Sequence, residues 1–543
     1  MPLQDASLTL DRRTFLGAGL AAGLSGRLAT AAVALAGGNA EAPPAAPGLV
    51  LEEATVDQLQ AGMAAGHWTS ADLVRRYAAR IRAFDQAGPK VNAVIELNPE
   101  AAAIARSLDA ERKAGRARGP LHGIPVLIKD NIDTADRMKT TAGSLALAEA
   151  PPPKEDAFVV KKLREAGAVI LGKTNLSEWA NLRSTRSSSG WSGRGGQTRN
   201  PYALDRSPSG SSSGSGAAAA ASFCAVAVGT ETDGSIVSPA SANGLVGLKP
   251  TLGLLSRSGI IPISQTQDTA GPMARTVRDA ALLLGALAGS DPKDAATAEA
   301  AARREPDYAR FLAEDGLRGA RLGVVKNLLG IHAHVDAVIQ PALDLMKAQG
   351  ATLVEVELKS SAYEEAEFEV LLYEFKVGLN AYLAGRGGAV KDLEGLMAFN
   401  EARAQEELPY FGQELLKQAQ AKGPLSDPAY LKALEACAQA RRGILELLAK
   451  GRLQALVGPT GIPAWLIDHV NGDSSGFSFS TPAAVGGCPH ITVPAGFAFG
   501  LPVGLSFVAG PWQEGPLLKL AYAFEQASRA RRGPRFAATA APR

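Results

Sequence analysis

A short, uninterrupted apolar run places the strongest constraint on the fold. Residues 123 to 128 read Gly-Ile-Pro-Val-Leu-Ile, and Lys129, Asp130 and Asn131 follow at once. An apolar run of this length with β-branched residues predicts a strand that is buried on both faces. Because both faces of such a strand need cover, usually from helices, the run predicts an α/β fold.

The segments around this run alternate between helical and strand patterns. The helical pattern covers residues 55–84, with Ser70 as the expected cap, 99–114, 157–166 and 217–221. Buried strands are expected at residues 168–171 and 223–228, and later at 455–457 and 491–493. Between about 291 and 450 the chain becomes helical and charged, which predicts a variable helical insertion that covers one side of an α/β core.

Composition and charge exclude several classes of protein. The chain has 543 residues, of which 46% are hydrophobic and 20% charged, as in soluble globular proteins. The net charge of +2 is too small for a surface that neutralises phosphates, so nucleic acid is not an expected partner.

Cys224, Cys437 and Cys488 form no CxxC pair, and we expect them to be buried apolar residues. The close pair His332 and His334 lacks a third ligand at helical spacing, so no metal site is expected.

The N-terminus resembles a twin-arginine export signal. Arg12 and Arg13 precede Thr14-Phe15-Leu16 and a weakly apolar run that ends at Gly26. This run is shorter than the roughly 20 residues that span a bilayer. We expect residues 1–42 to be a signal peptide cleaved near Ala40 or Ala42, and residues 43–543 to be a periplasmic or secreted protein without stable membrane association. An uncleaved anchor or a disordered leader is the alternative.

Two motif matches are interpreted as accidental, because the residues within or before them do not suit the structure that each motif needs. Residues 167–174 fit the phosphate-loop pattern, but the Ala-Val-Ile-Leu between the glycines is strand sequence whose N–H groups belong to a sheet. Residues 210–214 fit the G-x-S-x-G nucleophile elbow, yet the polar, Pro-containing segment before them is not a strand. An esterase centred on Ser212 would also need a histidine, from among His332, His334, His469 and His490.

A lysine and two serines suffice for acyl transfer without histidine. Lys129 ends a buried strand, where loss of water lowers the pKa of an amine and permits a neutral base. A serine hydroxyl both donates and accepts, so one serine can relay to that amine the proton of a second, attacking serine. Glycine-flanked turns, such as those at residues 210–216 and 229–235, point backbone N–H groups into one concavity, as an oxyanion requires.

The motifs of this chain, taken in their order along the sequence, resemble those of the amidase signature family. The resemblance covers roughly residues 55–286 and 455–527, and its blocks lie at 119–131, 172–178, 210–216, 229–235, 244–251, 268–273, 489–496 and 500–505. It implies the amidase signature fold: α/β, with a central mixed β-sheet covered by helices on both faces and the helical insertion at about 291–450. Residues 43–543 would then form a single amidase domain.

The family's roles transfer to this chain by motif. The resemblance implies that Lys129 is the base, Ser211 the bridging serine, preceded in the family by a cis peptide bond, and Ser235 the nucleophile. Backbone N–H groups of Thr232, Asp233, Gly234 and Ser235 would form the oxyanion hole. The family hydrolyses carboxamides to a carboxylate and ammonia through an acyl-enzyme, and it needs neither a metal nor an organic cofactor.

The nucleophile turn departs from the commoner Asp-x-Gly-Gly-Ser form of the family. Glu231 replaces the Asp, and Asp233 replaces the first Gly, where a side chain would narrow the site or contact substrate. With the Ser213-Gly214-Ser215-Gly216 run and the export signal, this departure resembles the peptide amidase branch, which removes the C-terminal amide of peptides.

Several alternatives remain open within this resemblance. A broad aliphatic or aryl amidase is the second interpretation, because the sequence of the helical insertion that would shape the acyl pocket does not indicate a particular substrate. An amidotransferase component that works on charged tRNA is less favoured, since the export signal and the near-zero net charge oppose it. A binding-only relative is disfavoured because Lys129, Ser211 and Ser235 are all present. The expected partner is a small-molecule or peptide amide, and the expected assembly is a monomer or homodimer.

Overall fold

A large mixed sheet dominates the computed structural model, which describes residues 48–358, 363–474 and 476–541. Within these residues the strands are β1 Val94–Leu97, β2 Pro125–Lys129, β3 Val169–Thr174, β4 Trp191–Ser192, β5 Gly196–Gln197, β6 Val226–Glu231, β7 Val246–Lys249, β8 Thr269–Ala274, β9 Arg321–Val325, β10 Thr352–Val356, β11 Ala455–Pro459, β12 His490–Ala498 and β13 Leu501–Val508. Eleven of them form one sheet in the order β1-β3-β2-β6-β8-β7-β12-β13-β11-β9-β10, and β4 pairs with β5.

The described α-helices are α1 Val56–Ala64, α2 Ser70–Ile81, α3 Ala101–Lys113, α4 Leu145–Ala148, α5 Phe158–Glu165, α6 Ser213–Ala220, α7 Val237–Ala242, α8 Val277–Leu287, α9 Ala300–Arg303, α10 Ala333–Ala348, α11 Glu364–Arg386, α12 Leu393–Ala402, α13 Ala404–Glu407, α14 Glu414–Gln420, α15 Pro428–Gly451, α16 Thr481–Val485 and α17 Glu514–Ser528. Five further helical segments of other types are Arg82–Gln86, Glu178–Asn181, Ala295–Thr297, Tyr308–Phe311 and Lys326–Leu328.

Burial along the strands confirms the α/β fold. Every residue of β2, β6 and β13 is buried, so both faces of the sheet are covered at its centre. β2 is parallel to both β3 and β6, whereas β6 and β8 are antiparallel, so the sheet is mixed as expected. The strand expected at 223–228 begins at Val226 and continues to Glu231, which shortens the turn that follows it.

The cap of α2 is Thr69, so the expectation of Ser70 was wrong. The Thr69 hydroxyl accepts a hydrogen bond from the N–H of Asp72 at 3.1 Å, and the Asp72 carboxylate accepts from the N–H of Thr69. Ser70 is the first helical residue, and its hydroxyl donates to the carbonyl of Gly123 at 2.7 Å. Two adjacent hydroxyl residues can both cap, and the sequence alone does not distinguish them.

The segment from about 291 to 450 is not helical throughout. α11 and α15 lie where the helical pattern predicted them, but β9 and β10 belong to the main sheet. These two strands are parallel, and β9 also pairs with β11. Both strands are five residues long and contain charged residues such as Arg321 and Glu355, so the sequence pattern does not distinguish them from the surrounding helices.

The predicted export signal, residues 1–42, lies outside the described residues. Within the part of the chain that the structure describes, no helix combines the length and the apolar character needed to cross a bilayer. The three cysteines are free thiols and buried, as expected.

Arg275 connects several segments beneath the sheet. It follows β8, is almost fully buried, and its guanidinium donates to the carbonyls of Ala219 and Cys224 at 2.9 Å and of Ala54 at 2.5 Å. One side chain thereby fixes the end of α6, the loop before β6 and the segment before α1.

We expect Arg275→Met to lower the free energy of unfolding by about 3 kcal/mol, because buried carbonyls lose their donors. Arg278→Met is the matched control: Arg278 pairs with Asp57 at the surface, where such a pair contributes less than about 1 kcal/mol. Urea unfolding followed by circular dichroism measures both variants. Equal losses in the two variants would contradict the role assigned to Arg275.

Candidate active site

Lys129 is the last residue of β2 and is completely buried. Its Nζ lies 2.8 Å from Ser211 Oγ and 2.9 Å from Thr230 Oγ1, and it also donates to the carbonyl of Thr230 at 3.3 Å. Burial lowers the pKa of the Lys129 amine to about 7, although the carboxylates of Asp268 and Glu231 oppose the shift. Near neutral pH the amine is therefore divided between its charged and neutral forms.

Ser211 and Ser235 continue the hydrogen-bonded chain that begins at Lys129. The Ser211 hydroxyl donates to Ser235 Oγ at 2.9 Å, and the peptide bond between Gly210 and Ser211 is cis. The N–H of Ser212 donates to the Ser235 carbonyl at 3.1 Å, which holds the two turns together. The structure thus brings the three residues predicted from the sequence into one chain of side chains.

The turn from Thr232 to Ser235 presents backbone N–H groups. It connects β6 to α7, and Gly234 has a φ of +77°, a conformation that side chains rarely adopt. A Cβ at Gly234 would also lie 2.9 Å from Ser480 Oγ. In the described chain no protein group accepts from the N–H groups of residues 232–235, so they are available to an oxyanion.

The carboxylates at the two unusual positions point into the protein. Glu231 Oε2 accepts from the N–H groups of Ile236 and Val237 at 2.7 and 3.0 Å, which fixes the start of α7. Asp233 Oδ2 accepts from Thr481 Oγ1 at 2.7 Å, so this side chain fastens the turn to the first residue of α16. Burial raises the pKa of both carboxyl groups.

The sequence did not single out three polar residues around this chain, Asn131, Thr230 and Asp268. Asn131 Nδ2 donates to Thr230 Oγ1 at 3.0 Å, so this hydroxyl accepts hydrogen bonds from both Asn131 and Lys129. Asp268 accepts from Thr232 Oγ1 at 2.5 Å, and burial raises its pKa to about 6. Asn131 follows Lys129 by two residues, just beyond the end of β2, and this closeness in sequence was the signal that could have found it.

Two cavities of different size adjoin the site. One of about 190 Å³ is lined by Gly210, Ser238, Ile462, Trp465, Asp473 and Phe477, among others. The other, of about 10 Å³, lies against Asn131, Ser211, Thr230 and Thr232. Since a single water needs at least about 10 Å³, the second cavity has the volume of about one water.

The motifs set aside in the sequence analysis do not form the sites that their patterns describe. Lys173 is in β3, and its Nζ donates to Thr140 Oγ1 at 2.8 Å, so the phosphate-loop match is a strand. Ser212 Oγ donates to the carbonyl of Thr230. His490 is buried and lies 2.6 Å from Ser506 Oγ. Among the described residues no group of three metal-ligating side chains comes together.

Comparison with known proteins identifies the family. The sequence model of the Amidase family matches residues 72–518. The native peptide amidase of Stenotrophomonas maltophilia, a solved structure, is 52% identical with a TM-score of 0.85, over 89% of this chain and 99% of that one. A probable amidase of Arabidopsis thaliana is 40% identical over 90% of this chain and 92% of its own. A glutamyl-tRNA(Gln) amidotransferase component of Carboxydothermus hydrogenoformans is 38% identical over 81% of this chain and 90% of its own.

The matched segment contains the whole hydrogen-bonded chain from Lys129 to Ser235 and the greater part of the main sheet. The fold is the one that solved amidase structures share. The chain therefore belongs to the amidase family and is a hydrolase that acts on amide bonds.

Proposed function

We propose that this protein hydrolyses the C-terminal carboxamide of peptides, with Ser235 as nucleophile, Ser211 as proton relay and Lys129 as base. The observation that supports the catalytic assignment is the continuous chain from Lys129 Nζ through Ser211 Oγ to Ser235 Oγ, with separations of 2.8 and 2.9 Å. Both separations suit hydrogen bonds in either direction, so a proton can pass along the chain.

Acylation begins with the neutral form of Lys129. Its amine accepts the Ser211 proton while Ser211 accepts the Ser235 proton, and Ser235 Oγ attacks the carboxamide carbon. The N–H groups of residues 232–235 stabilise the negative oxygen of the tetrahedral intermediate. The proton then returns through Ser211 to the leaving nitrogen, which departs as ammonia. Water attacks the acyl-enzyme by the same route and releases the carboxylate.

The unequal cavities support a primary carboxamide as substrate. The leaving nitrogen receives its proton from Ser211, and the cavity beside Ser211 and Thr230 has room for a water-sized group only. We assign this cavity to the leaving ammonia, for which its small volume is better suited than for the larger amine of a peptide bond. The acyl part of the substrate takes the larger cavity, and the similarity to the Stenotrophomonas maltophilia peptide amidase supports a peptide as that acyl part.

A broad aliphatic or aryl amidase is the second candidate, since Ile462, Trp465 and Phe477 give the larger cavity apolar walls.

The amidotransferase components among the relatives support a tRNA-dependent activity less well, because we also propose export through residues 1–42 to the periplasm or medium. Discovery of the uncleaved protein in a cytosolic complex would favour the amidotransferase interpretation. We propose a monomer or homodimer.

We expect Ser235→Ala to lower kcat/KM for an amide substrate by at least about 10³-fold, because the nucleophile is lost. Ser212→Ala is the matched control, since Ser212 is adjacent to Ser211 but bonds the backbone of Thr230. Its loss of activity should be much smaller. Full activity in Ser235→Ala, or a larger loss in Ser212→Ala, would contradict the mechanism.

We expect kcat/KM to rise about tenfold per pH unit below pH 7 and to level off above it. The physical reason is that the pKa of Lys129 is lowered to about 7 by burial, and only the neutral amine accepts a proton. A pH profile of ammonia release measures this, with circular dichroism at each pH to show that the fold is unchanged. A flat profile between pH 6 and 9 would contradict Lys129 as base.

We expect ammonia release from an amidated dipeptide to exceed that from a simple fatty or aryl amide. The assay uses the wild type, Ser235→Ala and Lys129→Ala, and both variants should lose either activity. A preference of the wild type for the simple amide would leave the amidase mechanism intact but contradict the peptide specificity.

A further inference from the structure

The larger cavity beside the active site contains one charged side chain. Its walls combine the apolar side chains of Ile462, Trp465 and Phe477 with several hydroxyl groups. Among the described residues that line it, Asp473 is the ionisable one. An ionised carboxylate at a cavity wall attracts a cation or a strong hydrogen-bond donor.

Neutral donors hold Asp473 in place and leave its charge uncompensated. Its Oδ1 accepts from the indole Nε1 of Trp465 at 2.9 Å, and the N–H of Ser189 lies 3.1 and 3.0 Å from the two oxygens. His469 is the nearby imidazole, but burial lowers its pKa, and its ring is stacked on Tyr410 and lies 2.9 Å from Gln197 Oε1. Burial raises the pKa of Asp473, which shows that these partners do not replace the lost water.

Asp473 lies close to the reacting serines. Gly210 is bonded to Ser211, and a Cβ at Gly210 would lie 2.9 Å from Ser189 Oγ. Ser189 in turn donates to Asp473, so a single residue separates the carboxylate from the turn that holds Ser211.

We propose that Asp473 binds the α-ammonium group of a short peptide amide whose carboxamide lies at Ser235. This proposal rests on the proposed peptide amidase function and adds a preference to it: a free N-terminus. An ammonium group supplies donors and a positive charge to a carboxylate that the protein itself leaves without a cation. An N-acetyl group removes that charge and adds bulk beside Trp465.

The test compares a dipeptide amide with its N-acetyl derivative at pH 7, where the α-amine is protonated. We expect the wild type to favour the free amine by about 10- to 100-fold in kcat/KM, and Asp473→Asn to abolish that preference. Asn keeps an oxygen for Trp465 and Ser189. Asp468→Asn is the matched control, because this carboxylate lies on the same loop and accepts from Val470 and Asn471.

A binding measurement separates this proposal from the proposed function. Calorimetry with Ser235→Ala should show tighter binding of the free dipeptide amide, and Ser235→Ala with Asp473→Asn should lose the difference. If binding follows this pattern while the wild type releases no ammonia, the proposed function fails and the ammonium site stands. Equal binding and equal turnover of the two ligands, or an equal loss for both in Asp473→Asn, would overturn the ammonium site.

Discussion

The burial of one amine determines the chemistry available to this protein. Lys129 is enclosed where β2 ends beside β6, and the loss of water, not a neighbouring positive charge, lowers its pKa to about 7. Ser211 Oγ and Thr230 Oγ1 accept hydrogen bonds from this amine, and the Ser211 hydroxyl in turn donates to Ser235 Oγ. The amine thus lies at the end of a hydrogen-bonded chain of side chains that contains no histidine, and the glycine-rich turns bring the two serines to it.

Local patterns and the family resemblance predicted different parts of the site. An apolar strand that ends in Lys129 is a pattern within a few residues, whereas Ser211 and Ser235 were selected by the family's motifs, and the structure brings these three side chains together. The cap of α2 and the strands β9 and β10 were missed, because adjacent hydroxyls and short charged strands have no distinct local pattern. Asp473 was also missed, since its partners Ser189 and Trp465 meet only in the folded chain.

Contacts of this long-range kind also join the helical region to the segment between β3 and β4. Arg183 is fully buried, pairs with Glu178, and donates to the carbonyl of Glu407 at 2.6 Å. The guanidinium lies 4.1 Å above the ring of Phe411. A buried charge without such partners would be strongly destabilising, so removal of one partner affects both regions. Such contacts give the helical region a defined position beside the serine-rich turns.

The two unusual residues of the nucleophile turn have separate physical explanations. Glycine is required where the chain is left-handed, and that conformation falls on Gly234 and not on Asp233. A side chain is therefore tolerated at 233, where it accepts from Thr481. Glu231 reaches the N–H groups of Ile236 and Val237 and leaves those of residues 232–235 without a protein acceptor in the described chain. The two carboxylates that depart from the commoner pattern thus support the turn without occupying its N–H groups.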